Sequence, residues 1–197
     1  MSLPALNPGP GDALLVVDVQ RDFLPGGALA VPCGNAVLGP LRRAIALFAE
    51  RGLPVIATRD WHPPDHCSFA AQGGPWPAHC IAETSGAEFA PGLRFPPGVE
   101  IVSKGVERTP DAYSGFDRTG LGPRLGALGV RRVIVGGLAT DYCVRATVLD
   151  ALALGFAVAV LTDAVRAVDV EAGDGERALQ EMAERGARLE HAVGETP

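Results

Sequence analysis

The chain has 197 residues, 47% hydrophobic and 20% charged, with a formal net charge of −6. That length gives one domain with a large core and is short for two, and the composition is that of an ordinary globular protein. The charge argues against a nucleic-acid partner: Arg42 with Arg43 and Arg131 with Arg132 are isolated pairs, read as solvated helix and strand ends. No apolar run approaches the roughly 18 residues of a membrane span, the strand-sized stretch around Val158 to Leu161 included. The opening MSLPALNPGPGD lacks the basic head and apolar core of a secretion signal, so the expected setting is the cytoplasm. Cys33, Cys67, Cys80 and Cys143 show no C-x-x-C spacing and read there as free thiols.

In chain order, residues 13–19 (ALLVVDV) form a near-continuous apolar run, as in a strand buried on both faces of a parallel sheet. Leu38, Leu41, Ile45 and Phe48 follow at helical spacing, with Gly52 as the stop. Strands are expected at 54–58, 100–103, 132–138 and 156–162, and a short last one at 188–192. Val144, Val148, Ala151 and Leu152 mark a helix that ends at Gly155, and Leu179, Met182 and Ala183 another that ends at Gly186. The alternation predicts a single α/β domain over 1–197: a mostly parallel sheet flanked by helices in a three-layer sandwich. Residues 59–99 interrupt it with a stretch too long for an ordinary connection. It holds Trp61, Trp76 and His62, His66 and His79, which favours a functional loop over a disordered one. No heptad or apolar face declares a partner, so homo-oligomerisation stays open.

In open α/β sheets ligands bind beyond the carboxyl ends of the strands. Asp18 falls there after the first strand, Asp60 and His62 after the second, Lys104 after the third, and Cys143 after the fourth. A thiol in the first turn of a helix meets unpaired N–H groups and the positive end of the dipole. Both are expected to lower its pKa from about 8.5 and to hold an oxyanion. The alternative is a buried structural cysteine on the core face of that helix. Asp18 ends an apolar strand, a poor place for a carboxylate without a task, and beside a thiol it suits proton transfer. Lys104 follows another apolar strand and would favour the thiolate; both also fit a strand-end salt bridge. Asp60-Trp61-His62 is D-x-H, which an extended backbone presents on one side; with His79 it offers a carboxylate and two imidazoles, suited to zinc, iron or manganese. A structural zinc site of His62, Cys67, His79 and Cys80 is the weaker arrangement, because adjacent residues seldom ligate one ion.

The strings VDVQRDF, DWHPPDHCSF, GGPWPAHC, SKGVERTPDAYSGF and GGLATDYCV, in this order, resemble the nicotinamidases of the isochorismatase-like cysteine hydrolase superfamily, over effectively the whole domain. The resemblance implies the isochorismatase-like hydrolase fold and hydrolysis of nicotinamide to nicotinate and ammonia through a thioester. It implies a triad of Asp18, Lys104 and Cys143 and a cis peptide between Leu138 and Ala139 that aims the Ala139 N–H, with that of Cys143, at the oxyanion. It also implies a divalent metal, zinc foremost, on Asp60, His62 and His79 that meets the pyridine nitrogen, and a nicotinamide pocket lined by Phe23, Trp76 and Tyr113. Whether His66 or Ser68 adds a ligand stays open, and so does the breadth of activity on related pyridine carboxamides. An amidase of the same superfamily acting on a ureido or carbamoyl substrate is the nearest alternative; a non-catalytic binder and isochorismatase itself, which lacks the cysteine, are further off. Asp22 and Asp163 read as turn or cap residues and His191 as exposed.

Overall fold

A computed structural model of the chain describes residues 3–192. The elements run β1 (Asp12–Val17), α1 (Leu38–Glu50), β2 (Val55–Asp60), β3 (Glu100–Lys104), α2 (Leu121–Ala127), β4 (Arg132–Leu138), α3 (Arg145–Ala153), β5 (Ala157–Arg166), α4 (Asp174–Glu184) and β6 (Arg188–Glu190). All six strands join one sheet in the order β3-β2-β1-β4-β5-β6. Every pairing is parallel, so the expected mostly parallel sheet is wholly so.

The unbroken apolar character of β1 follows from burial on both faces. Leu14 and Val16 pack on Leu41, Ile45 and Phe48 of α1. Leu15 and Val17 pack on the opposite side with Leu121 and Leu125 of α2, Val148 of α3 and Met182 of α4. Each such side chain contributes about 1.5–3 kcal/mol on leaving water, which makes this three-layer stack the main source of stability.

The chain winds outward from β1 through β2 and β3, returns, and winds the other way through β4, β5 and β6. The direction reverses between β1 and β4, and their carboxyl ends open the crevice where such sheets hold ligands. The two strands approach closely at Gly137, with φ at 135°: a Cβ there would lie 2.0 Å from the Val17 carbonyl oxygen, so only glycine fits.

Several boundaries differ from expectation, each for a local reason. β1 stops at Val17 because Asp18 turns into the left-handed region, at φ 47°. β2 continues to Asp60, which pairs with Lys104 of β3. β5 runs to Arg166 past a register shift between Val135 and Gly137 of its neighbour. α2 was not anticipated, since LGPRLGA carries two glycines and a proline. Pro123 sits in its first turn, where a missing N–H costs nothing. Arg132 is not a freely solvated end: it is half-buried and paired with Asp12 and Glu190. His191 is partly buried, bridging Ala5, with Nδ1 3.8 Å from Asp163. Asp163 lies within β5 rather than a turn and accepts the Ala192 N–H at 2.8 Å. Asp22 matches its reading, accepting the N–H groups of Cys80 at 2.7 Å and Ala28 at 3.2 Å.

Candidate active site

The left-handed turn at Asp18 drops its carboxylate across the end of β2 and β3. Oδ1 accepts the Thr58 hydroxyl at 2.7 Å, and Oδ2 meets the Lys104 ammonium at 2.9 Å. Lys104, fully buried, also donates to an Asp60 carboxylate oxygen, to the Ala112 carbonyl at 3.3 Å and to the Cys143 sulfur at 3.4 Å. The sulfur and one oxygen from each of Asp18 and Asp60 lie within 4.8 Å of one another. Cys143 occupies the wide turn Thr140–Val144 that opens α3, directly after a cis peptide between Leu138 and Ala139. The sulfur, the carboxylate and the ammonium, from three separate strand ends, thus meet in one buried cluster.

Electrostatics correct one expectation. Burial pushes the Cys143 thiol well up, and Lys104 offsets this only in part because Asp18 and Asp60 add negative charge beside it. Position at the start of a helix therefore does not by itself set the acidity of this sulfur: burial and the two carboxylates oppose the ammonium. Burial likewise raises Asp18 despite the ammonium, which makes its carboxylate a stronger base toward the neighbouring sulfur. Asp60 moves the other way: burial opposes its charge, but Lys104 and His62 outweigh it and hold the carboxyl far below the usual range.

The loop at 59–99 completes the site. His62 Nδ1 lies 2.9 Å from the Gly105 carbonyl, and His79 Nδ1 lies 2.8 Å from the Pro77 carbonyl. A carbonyl oxygen only accepts, so each Nδ1 carries a proton, and in the neutral imidazole Nε2 then offers its lone pair to another partner, as metal-binding histidines do. One ligand atom from each of Asp60, His62 and His79 falls within 4.8 Å of the others, all three residues buried. Glycine is required at 105, where φ is +60° and a Cβ would stand 2.4 Å from His62. A carboxylate oxygen and two imidazole nitrogens beside an excess of buried negative charge fit a divalent cation. Burial lowers His79; for His62 the Asp60 carboxylate overrides burial and raises it.

His66 is brought near but not into this cluster. It stacks on His62 with centroids 4.0 Å apart, binds Ser68 Oγ through Nδ1 at 2.7 Å, and burial with the His62 charge pushes it down to about 4. Ser68 faces the cavity. Cys80 sits in the apolar core, so the zinc arrangement through Cys67 and Cys80 is not assembled.

One cavity joins the thiol to the ligand cluster; Phe23, Trp76 and Tyr113 line it, and so does Ala139, expected from the sequence only as an oxyanion donor. Trp76 Nε1 donates to Tyr113 Oη at 2.9 Å, fixing two aromatic planes. Sequence reasoning missed Tyr142, whose ring stands edge-on to Trp76 at 5.0 Å and lines the same cavity. It also missed Gln20, fully buried, which donates to the Asp60 carbonyl at 2.7 Å and accepts the Asp60 N–H at 2.8 Å. A polar residue two positions after Asp18, just past a buried strand, was the available signal.

The family profile of the Isochorismatase domain matches residues 12–192. The chain belongs to the isochorismatase family. Within it, this member is 41% identical to the nicotinamidase of Escherichia coli, over 91% of this chain and 94% of that one. The pyrazinamidase of Pyrococcus horikoshii, solved in complex with zinc, superposes with a TM-score of 0.88 at 49% identity, covering 92% of this chain and 99% of the other. A protein from L. infantum, solved with nicotinate, gives 0.87 at 36% identity over 98% and 97%. This family member is an amidohydrolase by the same kinship.

Proposed function

We propose that this protein is a nicotinamidase: it hydrolyses nicotinamide to nicotinate and ammonia, a step of NAD salvage, with Cys143 as nucleophile. The observation that carries the reading is the contact of one buried ammonium, Lys104, with Asp18, Asp60 and the Cys143 sulfur, which ties a nucleophile cluster to a cation site inside one aromatic-lined cavity. Asp18 takes the sulfur's proton as the sulfur attacks the carboxamide carbon. The Ala139 and Cys143 N–H groups hold the oxyanion. Asp18 passes the proton to the departing ammonia, leaving a thioester, and then takes a proton from water as water attacks it. Nicotinate leaves and the thiol regains its proton. Lys104 holds Asp18 in place and limits its basicity. Phe23, Trp76 and Tyr113 line the space that the ring would occupy.

Asp60, His62 and His79 would hold a divalent cation, zinc before iron or manganese, which when bound gives the ring nitrogen a Lewis-acid contact. The ureido or carbamoyl alternative is not favoured, since its substrates have no ring nitrogen to use that site. The same reading takes residues 1–197 as one hydrolase domain with its active-site loop at 59–99, acting in the cytoplasm on a small molecule, with no nucleic-acid or membrane partner. In support, the net charge is −6 and no helix of the described residues is long and apolar enough to cross a membrane. An ammonia-release assay over nicotinamide, pyrazinamide and ureido substrates, with and without a chelator, tests it. Turnover of nicotinamide that chelation suppresses is the expected result; turnover of ureido substrates alone overturns it.

A further inference from the structure

Asp141 belongs to the ATDYC string yet has no part in the chemistry above. Its carboxylate turns away to the loop at 167–173, between β5 and α4. Oδ1 accepts the Val168 N–H at 3.0 Å and Oδ2 the Asp169 N–H at 2.9 Å. Val168 lines the same cavity as Tyr142, Ala139 and Cys143. The rest of the loop is held in the same manner, side-chain oxygen to backbone N–H. Asp169, left-handed at φ 53°, accepts from Gly175 at 2.8 Å, and Asp174 accepts from Glu171 at 2.9 Å. Those two contacts fasten the loop to α4; Asp141 fastens it to the site.

We infer that Asp141 is a positioning residue: it straps Val168 to the turn that carries Cys143, and so sets where the substrate ring sits relative to the sulfur. Asp141 and Cys143 share the turn Thr140–Val144, so wall and nucleophile keep one spacing as long as the strap is closed. A carboxylate suits the task because it offers two acceptors and no hydrogen. Asparagine would give up one bond and set an N–H against an N–H. The strap acts on how the ring is held in both ground and transition states, so loosening it raises KM more than it lowers kcat.

The kinetic arm of the test rests on the hydrolase reading; the exchange arm does not. For Asp141→Asn, KM for nicotinamide should rise about five- to tenfold while kcat changes less than about threefold, the size of one lost hydrogen bond. Amide hydrogen exchange at Val168 and Asp169 should quicken. In a Val168→Ala background, where the wall is already gone, the same substitution should add little to KM. Unchanged exchange at both amides, or a fall in kcat at constant KM, overturns the inference. Should Asp141→Asn fail to fold, Val168→Ala carries the test, and an unchanged KM overturns it. If the wild-type protein does not hydrolyse nicotinamide, the functional reading falls and exchange alone decides the strap.

Discussion

The two edges of the sheet use the same strands for opposite ends. At the amino edge of β1 and β4, Asp12 meets Arg132 at 2.6 Å, and Arg132 reaches Glu190 at 3.4 Å, with the guanidinium still partly in water. At the carboxyl edge Asp18, Lys104 and Asp60 are all buried, two carboxylates around one ammonium. Partly solvated pairs are screened and contribute about 1 kcal/mol or less, whereas buried ones lose so much hydration that apolar replacements are often more stable. The amino edge therefore reads as a stability device. The carboxyl edge keeps a costly arrangement whose return is chemistry and cation binding.

The sharpest way to separate the edges is to remove the nucleophile. Cys143→Ala should lower ammonia release about 10³-fold or more, with a thermal midpoint close to wild type and the cation still bound. An active alanine variant would end the assignment. Next in size is the cation. Chelation, or His79→Ala, should cut nicotinamide turnover about 10–100-fold, with recovery on adding zinc to the chelated wild type but not at the same concentration to the variant. Turnover indifferent to both would make Asp60, His62 and His79 structural.

How legible the site was depended on which element carried each residue. Asp18, Lys104 and Cys143 could be read because strands and their order put strand ends at one edge, and a polar residue ending an apolar run stands out. Asp60 and His62 announce themselves as D-x-H. His79 does not: it comes to them because His62 bridges Ile81 across the loop, a pairing that no sequence period signals. The upward push of burial on the Cys143 thiol is not legible, because helix position is visible in a sequence and depth of burial is not. Tyr142 stands next to the nucleophile in ATDYC, where nothing in the sequence separates a cavity wall from a core aromatic. α2 was hidden by glycines and a proline that burial of Leu121 and Leu125 overrides.

Gln20 tests whether the carboxyl edge pays a structural as well as a chemical role. Its side chain serves the Asp60 N–H and carbonyl and the Ala87 carbonyl at 3.0 Å. Gln20→Ala leaves those buried groups without this partner, so unfolding should come about 1–3 kcal/mol sooner, and cation affinity should fall about tenfold as Asp60 loosens. Denaturant melts and a competitive zinc titration measure the two. A loss of stability with unchanged affinity would mean that Gln20 only braces the loop.

The smallest effect belongs to the amino edge and carries a sign. Burial pushes the Asp12 carboxyl up, but hydrogen bonds from Arg132 and the Gly9 N–H outweigh it, so the folded pKa lies below the unfolded one. A depressed carboxyl stabilises at pH values above its unfolded pKa, near about 3.9, and that contribution drains away as pH falls through the folded value. Asp12→Asn should therefore cost about 1 kcal/mol at neutral pH, and the gap to wild type should close on acidification. Its kcat and KM should match wild type at every pH where both are folded. Thermal melts from neutral to acid pH, run beside the ammonia assay, decide the matter: a shift in kcat would mean that the Asp12 to Arg132 pair reaches along β1 and β4 into the site, and that the two edges are not independent.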